Sequence, residues 1–354
     1  MTTLTFDEDE IFETDEWKQK MSENGGILKI NNVRLVMLVH GTFAGDDALG
    51  LFDLLEPINK TLADTLRKNG KALINKLAKD VGNYTPEYAK ALGNALDLAC
   101  DLFIWSSGNF HLARLNGTLE LAQKLAKIIT ENKILGHERI LLLGHSHAGQ
   151  LFALLTTFLA NDEQARRLYD IMENYEDLRK DIKKFIGFLE IIKTVNLDFV
   201  TFGTPVRYSW GEYEKSRLMA VVNHRSNVRL SGLLSTRDGD YVQQWGVEGT
   251  DILPPPDKIK SNDEFDAVLD KGRDTSLLVA SVAREERSDP KYASGNTVSE
   301  TFLVNYKDNA PFQIYLLNPF SIPHCVKTLF GHGVYTKKST MLFNMNIIVK
   351  NWYS

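Results

Sequence analysis

Ser146 is the residue whose surroundings most directly suggest chemistry. It stands in Gly144-His-Ser-His-Ala148, with Gly149 next, directly behind the apolar run from Ile140 to Leu143. A serine hydroxyl is a weak nucleophile until a neighbouring base takes its proton, and a histidine serving as that base must be held in orientation by an acid. A histidine and a carboxylate must therefore reach Ser146 if it is to attack anything. His332, between Gly331 and Gly333, sits in a polar turn from which a base can reach across a sheet edge; His324 is its competitor. His145 and His147 flank the serine. Residues two apart around a sharp turn point differently, and no cysteine or carboxylate cluster joins them, so both are read as structural and no metal is expected.

The elements around the serine set its place. The apolar run ending at Gly144 reads as a buried strand, and residues 150–159 have the apolar spacing of a helix packed on one face. Ser146 then occupies a strand-to-helix turn, strained and projecting from the sheet edge, which requires small residues two before and two after it. Residues before about 25 are charged and aperiodic and read as a lead-in. Strands are expected at 26–32, 33–39, 101–106, 195–202, 218–223, 301–306 and 312–317, that at 33–39 being apolar enough for burial on both faces. Helical patterning covers 46–101 through Leu62, Leu66, Leu73, Leu77 and Val81. It returns with Leu121, Leu125, Ile128 and Ile129, again in the charged stretch 161–193, and finally through Met341 and Ile347 to Trp352.

Strands alternating with helices imply an α/β fold, a mostly parallel central sheet with helices on both faces. One domain over 26–354 is expected, with a helical cap or lid inserted at about 46–100, a second helical insertion at 161–194 and a surface excursion at 251–297. The 354 residues carry a formal net charge of −5, which provides no electrostatic footprint for nucleic acid. Cys100 and Cys325 are the only cysteines and lie far apart, so neither a disulfide framework nor a cysteine zinc site is indicated. The N-terminus is acidic where a secretory signal is basic and then apolar. No apolar stretch reaches the roughly 18 to 20 residues that span a bilayer. The expected location is the cytoplasm, with signal-less export left open.

At His40-Gly-Thr-Phe43, Gly144 to Gly149, Gly203-Thr-Pro205 and the late His332, the chain resembles the α/β-hydrolase superfamily, particularly its lipase- and esterase-like serine hydrolases. The resemblance covers the sheet and not the insertions, and Ala148 departs from the family's glycine-x-serine-x-glycine pattern. It implies the order nucleophile, acid, histidine, here Ser146, Asp240 and His332. Asp240-Tyr-Val resembles the segment that carries the acid in several lipase families. Asp238 and Asp198 compete for that role, and Asp238-Gly-Asp240 reads equally well as a polar turn. The resemblance also assigns two oxyanion donors, the backbone N–H of His147 and that of Thr42 or Phe43. Asn109, His111 and Arg114 either line the mouth of the site or are ordinary loop and cap residues.

What the resemblance implies is a carboxylic ester hydrolase acting through an acyl-enzyme on a lipid or other hydrophobic acyl substrate. It needs no metal or organic cofactor, and lid-like insertions would bring peripheral contact with a lipid surface. Two alternatives stay in view: a catalytically silent hydrolase-like binding protein, and an acyltransferase using the same nucleophile.

Overall fold

A computed structural model describes residues 2–6, 11–41, 83–108, 110–205, 208–224, 240, 243, 254, 256–269, 299–307 and 331–354. Seven parallel strands form one sheet. They are β1 (Thr2–Thr5), β2 (Val33–Val39), β3 (Ala99–Phe103), β4 (Arg139–His145), β5 (Asn196–Phe202), β6 (Ser216–Asn223) and β7 (Ser299–Asn305), in the spatial order β1-β7-β6-β5-β4-β2-β3. The described helices are α1 (Asp15–Ile30), α2 (Pro86–Leu96), α3 (His111–Glu131), α4 (Ala148–Ala160), α5 (Glu163–Glu173), α6 (Glu176–Ile192), α7 (Ile259–Leu269) and α8 (Met341–Trp352).

Both sheet faces are covered, which explains why β2 and β4 are so largely apolar. Successive strand residues point to opposite faces. Leu35, Met37, Ile140, Leu142, Leu197 and Phe199 enter one core with residues of α3 to α7. Val36, Leu38, Leu141, Leu143, Val200 and Phe202 enter the other with α1, α2 and α8. With both faces covered, a ligand can reach the sheet at the ends of its strands. From β2 the chain moves outward to β3, returns across β2 to β4, and then advances the other way through β5, β6 and β7. The strand order therefore reverses at β2 and β4, and in open parallel sheets the crevice beyond the C-terminal strand ends at such a reversal is where ligands bind.

Two N-terminal expectations are corrected. Residues 26–32 do not form a strand; they include the last turn of α1, and the expected lead-in contributes both that helix and β1, whose Thr2 pairs with Phe302. Thr14 caps α1 by accepting from the N–H of Trp17, and Trp17, Met21, Gly25 and Leu28 turn a helical stripe inward. Gly25 is small because α2 packs on it: the Leu96 carbonyl occupies the place a Cβ would take. The stretch 161–193, expected as an excursion, folds as α5 and α6, which bury Ala165, Leu168, Met172, Phe185, Leu189 and Ile192 in the core. β3 ends at Phe103, short of the expected Ser106. Most of 46–100 and 251–297 and all of 312–317 lie outside the described residues; α2 and α7 are the described parts of the two insertions. No described helix is long and apolar enough to cross a membrane.

Candidate active site

The ends of β2, β4 and β5 are level. Val39 pairs with Gly144 and His145 with Phe202, so His40-Gly41, Ser146 and Gly203 leave the sheet side by side. Ser146 turns between β4 and α4 with φ +56°, a left-handed conformation that costs a non-glycine residue on the order of 1–3 kcal/mol and clusters at functional sites. The turn is held by its neighbours: the Ser146 N–H donates to the Phe202 carbonyl at 2.9 Å, and the Thr204 hydroxyl donates to the Ser146 carbonyl at 2.8 Å. Gly144 faces the Phe152 ring, which a Cβ would meet at 2.5 Å. Ala148 is fully buried as the first residue of α4, so a methyl fits there, and the tightest approach falls one residue later, where Gly149 packs on Thr204.

His332 and Asp240, separated by 92 residues, meet in full burial. The imidazole Nδ1 lies 3.0 Å from Asp240 Oδ1 and 2.8 Å from Oδ2. Asp240 Oδ1 also accepts from the Gln243 N–H at 2.9 Å, and Oδ2 from the Tyr335 hydroxyl at 2.8 Å. A buried carboxylate is tolerated only with such partners. With Nδ1–H donated to the carboxylate, Nε2 is the nitrogen available for proton exchange. Ser146 Oγ is buried and makes no hydrogen bond among the described residues, so the link from serine to histidine is open in this arrangement. Contacts of that kind often tighten only when substrate is bound.

His145 ties His332 to the serine turn. Its Nε2–H donates to the His332 carbonyl at 3.0 Å, and the two rings lie 4.5 Å apart. Burial, with His332 nearby, holds the His145 pKa well below the usual histidine value, so it is neutral at pH 7. His40 is likewise pushed down by burial. Its Nε2 accepts from the Trp105 N–H at 3.0 Å and its Nδ1–H donates to the Gly41 carbonyl at 2.6 Å, which fixes the tautomer. Asn83 Oδ1 accepts from the Gly41 N–H at 3.1 Å, and the Ser107 hydroxyl donates to the Gly41 carbonyl at 3.1 Å. The strand exit beside the serine is thus rigid before any ligand arrives. A Cβ on Gly41 would lie 2.5 Å from Ser146 Cβ, so this glycine forms the near wall around the serine. His147 caps α4, which places its amide in the first turn, where helix N–H groups have no partner within the helix.

Thr42, Phe43, Asn109, Asp238 and His324 lie outside the described residues. Asp198 stands away from the His332–Asp240 pair. It pairs with Leu141 in mid-sheet, about 13 Å along β5 from Phe202 at ~3.3 Å per residue. There it neutralises Arg139 and Arg217 and accepts from the Tyr353 hydroxyl. His111 and Arg114 do not line an exposed mouth. Both are fully buried, with His111 Nδ1 at 2.6 Å from the Tyr208 hydroxyl and its Nε2 at 2.9 Å from Asp266, while Arg114 donates to the same hydroxyl. They join α3, the segment after β5 and α7.

Sequence reasoning missed Tyr335, Gln243, Asn83 and the role of His145. Only Tyr335 left a trace, three residues after His332 in a short 3-10 turn (Gly333–Thr336). Among the described residues no group of histidine, cysteine, aspartate and glutamate could hold a metal ion. Comparison with protein-family models, curated proteins and solved structures finds no match to this chain.

Proposed function

We propose that this protein is a serine hydrolase of the α/β-hydrolase type that cleaves a carboxylic ester, with a lipid or other hydrophobic acyl group as substrate. The observation that carries the reading is the fully buried His332–Asp240 pair at the same sheet edge as a strained serine turn. In this mechanism Ser146 Oγ attacks the acyl carbonyl carbon while His332 Nε2 takes the hydroxyl proton. Asp240 holds the Nδ1–H and stabilises the imidazolium. The tetrahedral oxyanion is met by the backbone N–H of His147 and by that of Thr42 or Phe43. His332 then returns the proton to the departing alcohol, leaving an acyl-enzyme, and water activated by the same histidine releases the acid.

The open Ser146–His332 link supports a second reading, a hydrolase-like protein that binds without turning over. Reaction with a fluorophosphonate probe followed by peptide mapping separates the two. A hydrolase labels on the peptide containing Ser146, and Ser146→Ala abolishes both labelling and turnover. No labelling of well-folded protein sinks the hydrolase reading. Replacing Asp240 by Asn lowers kcat by on the order of 10³ to 10⁴ in a relay of this kind, whereas near-normal turnover in that variant would remove Asp240 from the role. Product analysis with alcohol acceptors tests the acyltransferase alternative, since the same three residues serve both reactions. If the insertion at 46–100 is a lid, the rate rises when ester passes from dispersed to aggregated; a flat response counts against lipid-surface contact.

A further inference from the structure

We propose that Tyr335 is the positioning residue that ties the Asp240 carboxylate to His332, so that one turn of the chain presents the base and clamps its acid; this rests on the hydrolase reading above.

The Asp240 partners are not equivalent. Gln243 lies three residues from Asp240 and its side-chain amide donates to the Thr204 carbonyl at 3.1 Å, so it holds the aspartate's own turn near the end of β5, and its N–H reaches Oδ1 alone. Apart from His332 itself, the Tyr335 hydroxyl on Oδ2 is the hydrogen bond that connects this carboxylate to the rest of the described fold. The direction of that bond is fixed. Tyr335 Oη already accepts from the N–H of Asn223, the last residue of β6, at 2.8 Å, which leaves its own hydrogen for Asp240. Burial pushes the phenol pKa well above its ordinary value, so the hydroxyl stays a donor at every working pH.

The turn supplies the geometry. In a 3-10 helix residues three apart lie on one side, and His332 caps the 3-10 turn that contains Tyr335. Imidazole and phenol therefore approach Asp240 together, with ring centroids 6.2 Å apart and the planes at 87°. Gly203 makes room for the assembly: at φ +58° its missing Cβ would lie 2.5 Å from both Asp240 Oδ2 and the Tyr335 ring. Without the hydroxyl, Oδ2 keeps only the imidazole, and the carboxylate loses one of the bonds that set its rotation about Cβ–Cγ, leaving the Gln243 N–H on Oδ1. A bond of this kind changes the rate of the chemical step and leaves the affinity for ester alone.

The test is a double-mutant cycle on the full chain with Tyr335→Phe, Asp240→Asn and the pair, read by ester hydrolysis and by the low-field proton resonance of His332 Nδ1–H. Tyr335→Phe is expected to lower kcat about tenfold with KM changed less than twofold, and to shift and broaden the Nδ1–H resonance. In the Asp240→Asn background the same substitution changes kcat less than twofold, because the carboxylate it positions is gone. An unchanged kcat with an unchanged resonance overturns the proposal, as does a loss that persists in full without Asp240. The resonance needs no turnover. In a protein that hydrolyses no ester and is not labelled at Ser146, the hydrolase reading fails, while a shifted or unshifted resonance in Tyr335→Phe still upholds or overturns the clamp. If Tyr335→Phe does not fold, difluorotyrosine at 335 preserves the ring and strengthens the donor, and an unmoved resonance again overturns the clamp.

Discussion

Gly203→Ala is a sharp test of the site because the cost has two separable sources. The residue has φ +58°, where a Cβ meets its own backbone at a cost of about 1–2 kcal/mol. The added carbon would also lie 2.5 Å from Asp240 Oδ2, and 2.5 Å and 3.0 Å from two ring carbons of Tyr335. Neither neighbour is a loose end: the carboxylate is hydrogen-bonded on both oxygens, and the ring is fully buried. Overpacking of a rigid site costs about 1–3 kcal/mol, so the expected loss is about 2–5 kcal/mol in all. A domain with stability of about 5–15 kcal/mol then keeps its fold except at the bottom of that range, with the Asp240 carboxylate displaced.

The same chemical change at Gly187 is the control. This exposed glycine lies within α6, and a Cβ there meets nothing within 4 Å, so Gly187→Ala stabilises the chain by about 0.5–1 kcal/mol. Urea unfolding of both variants, compared at a common slope, gives two shifts of opposite sign. Ester turnover falls about a hundredfold or more in Gly203→Ala, since an ångström of misplacement at a reacting centre costs that much, and is untouched in Gly187→Ala. A Gly203→Ala variant within 0.5 kcal/mol of the parent would refute the packing described around Asp240.

Stability is expected to fall as pH drops below about 6.5. His145 and His40 are held neutral by burial, so the folded chain binds fewer protons than the unfolded one there. The contribution is complete above the unfolded value near 6.5 and diminishes below it by up to ~1.4 kcal/mol per pH unit for each histidine. Urea midpoints at pH 7.5, 6.5 and 5.5 measure this, and a flat profile would contradict neutral burial. Asp198→Asn is expected to cost about 3 kcal/mol, the low end for breaking a buried pair, because Arg139 and Arg217 are 32% and 29% exposed and keep some hydration. Its turnover should equal the parent's, and a folded but inactive variant would return Asp198 to contention as the acid.

What is local in this protein could be read directly from its residues. The period-free apolar runs of β2 and β4, the serine turn between Gly144 and Gly149, and the end of α8 at Trp352 depend on interactions within a few positions, and structure and sequence agree there. The N-terminal stretch misled for a physical reason. Gly25 and Gly26 look like a break between elements, yet Gly25 lies in mid-helix because α2 packs against it, a contact made by residues some 70 positions away. The helices α5 and α6 were legible as helices but not as core elements, since their charged faces are the exposed half of elements whose other half is core.

The acid shows the limit most clearly. Asp198 and Asp240 are both fully buried aspartates, and beyond the resemblance of Asp240-Tyr-Val to a family segment, residue type does not say which one meets an imidazole. That choice is made by strand register and by chain return. Register leaves Asp198 in mid-sheet between two arginines, and the return after β7 brings His332 and Tyr335 to Asp240 over gaps of 92 and 95 residues. Residue types along the chain thus announce a serine at a sheet edge, whereas the carboxylate that meets His332 is a property of the folded sheet, because a hydrogen bond depends on position in space and leaves no period in the chain.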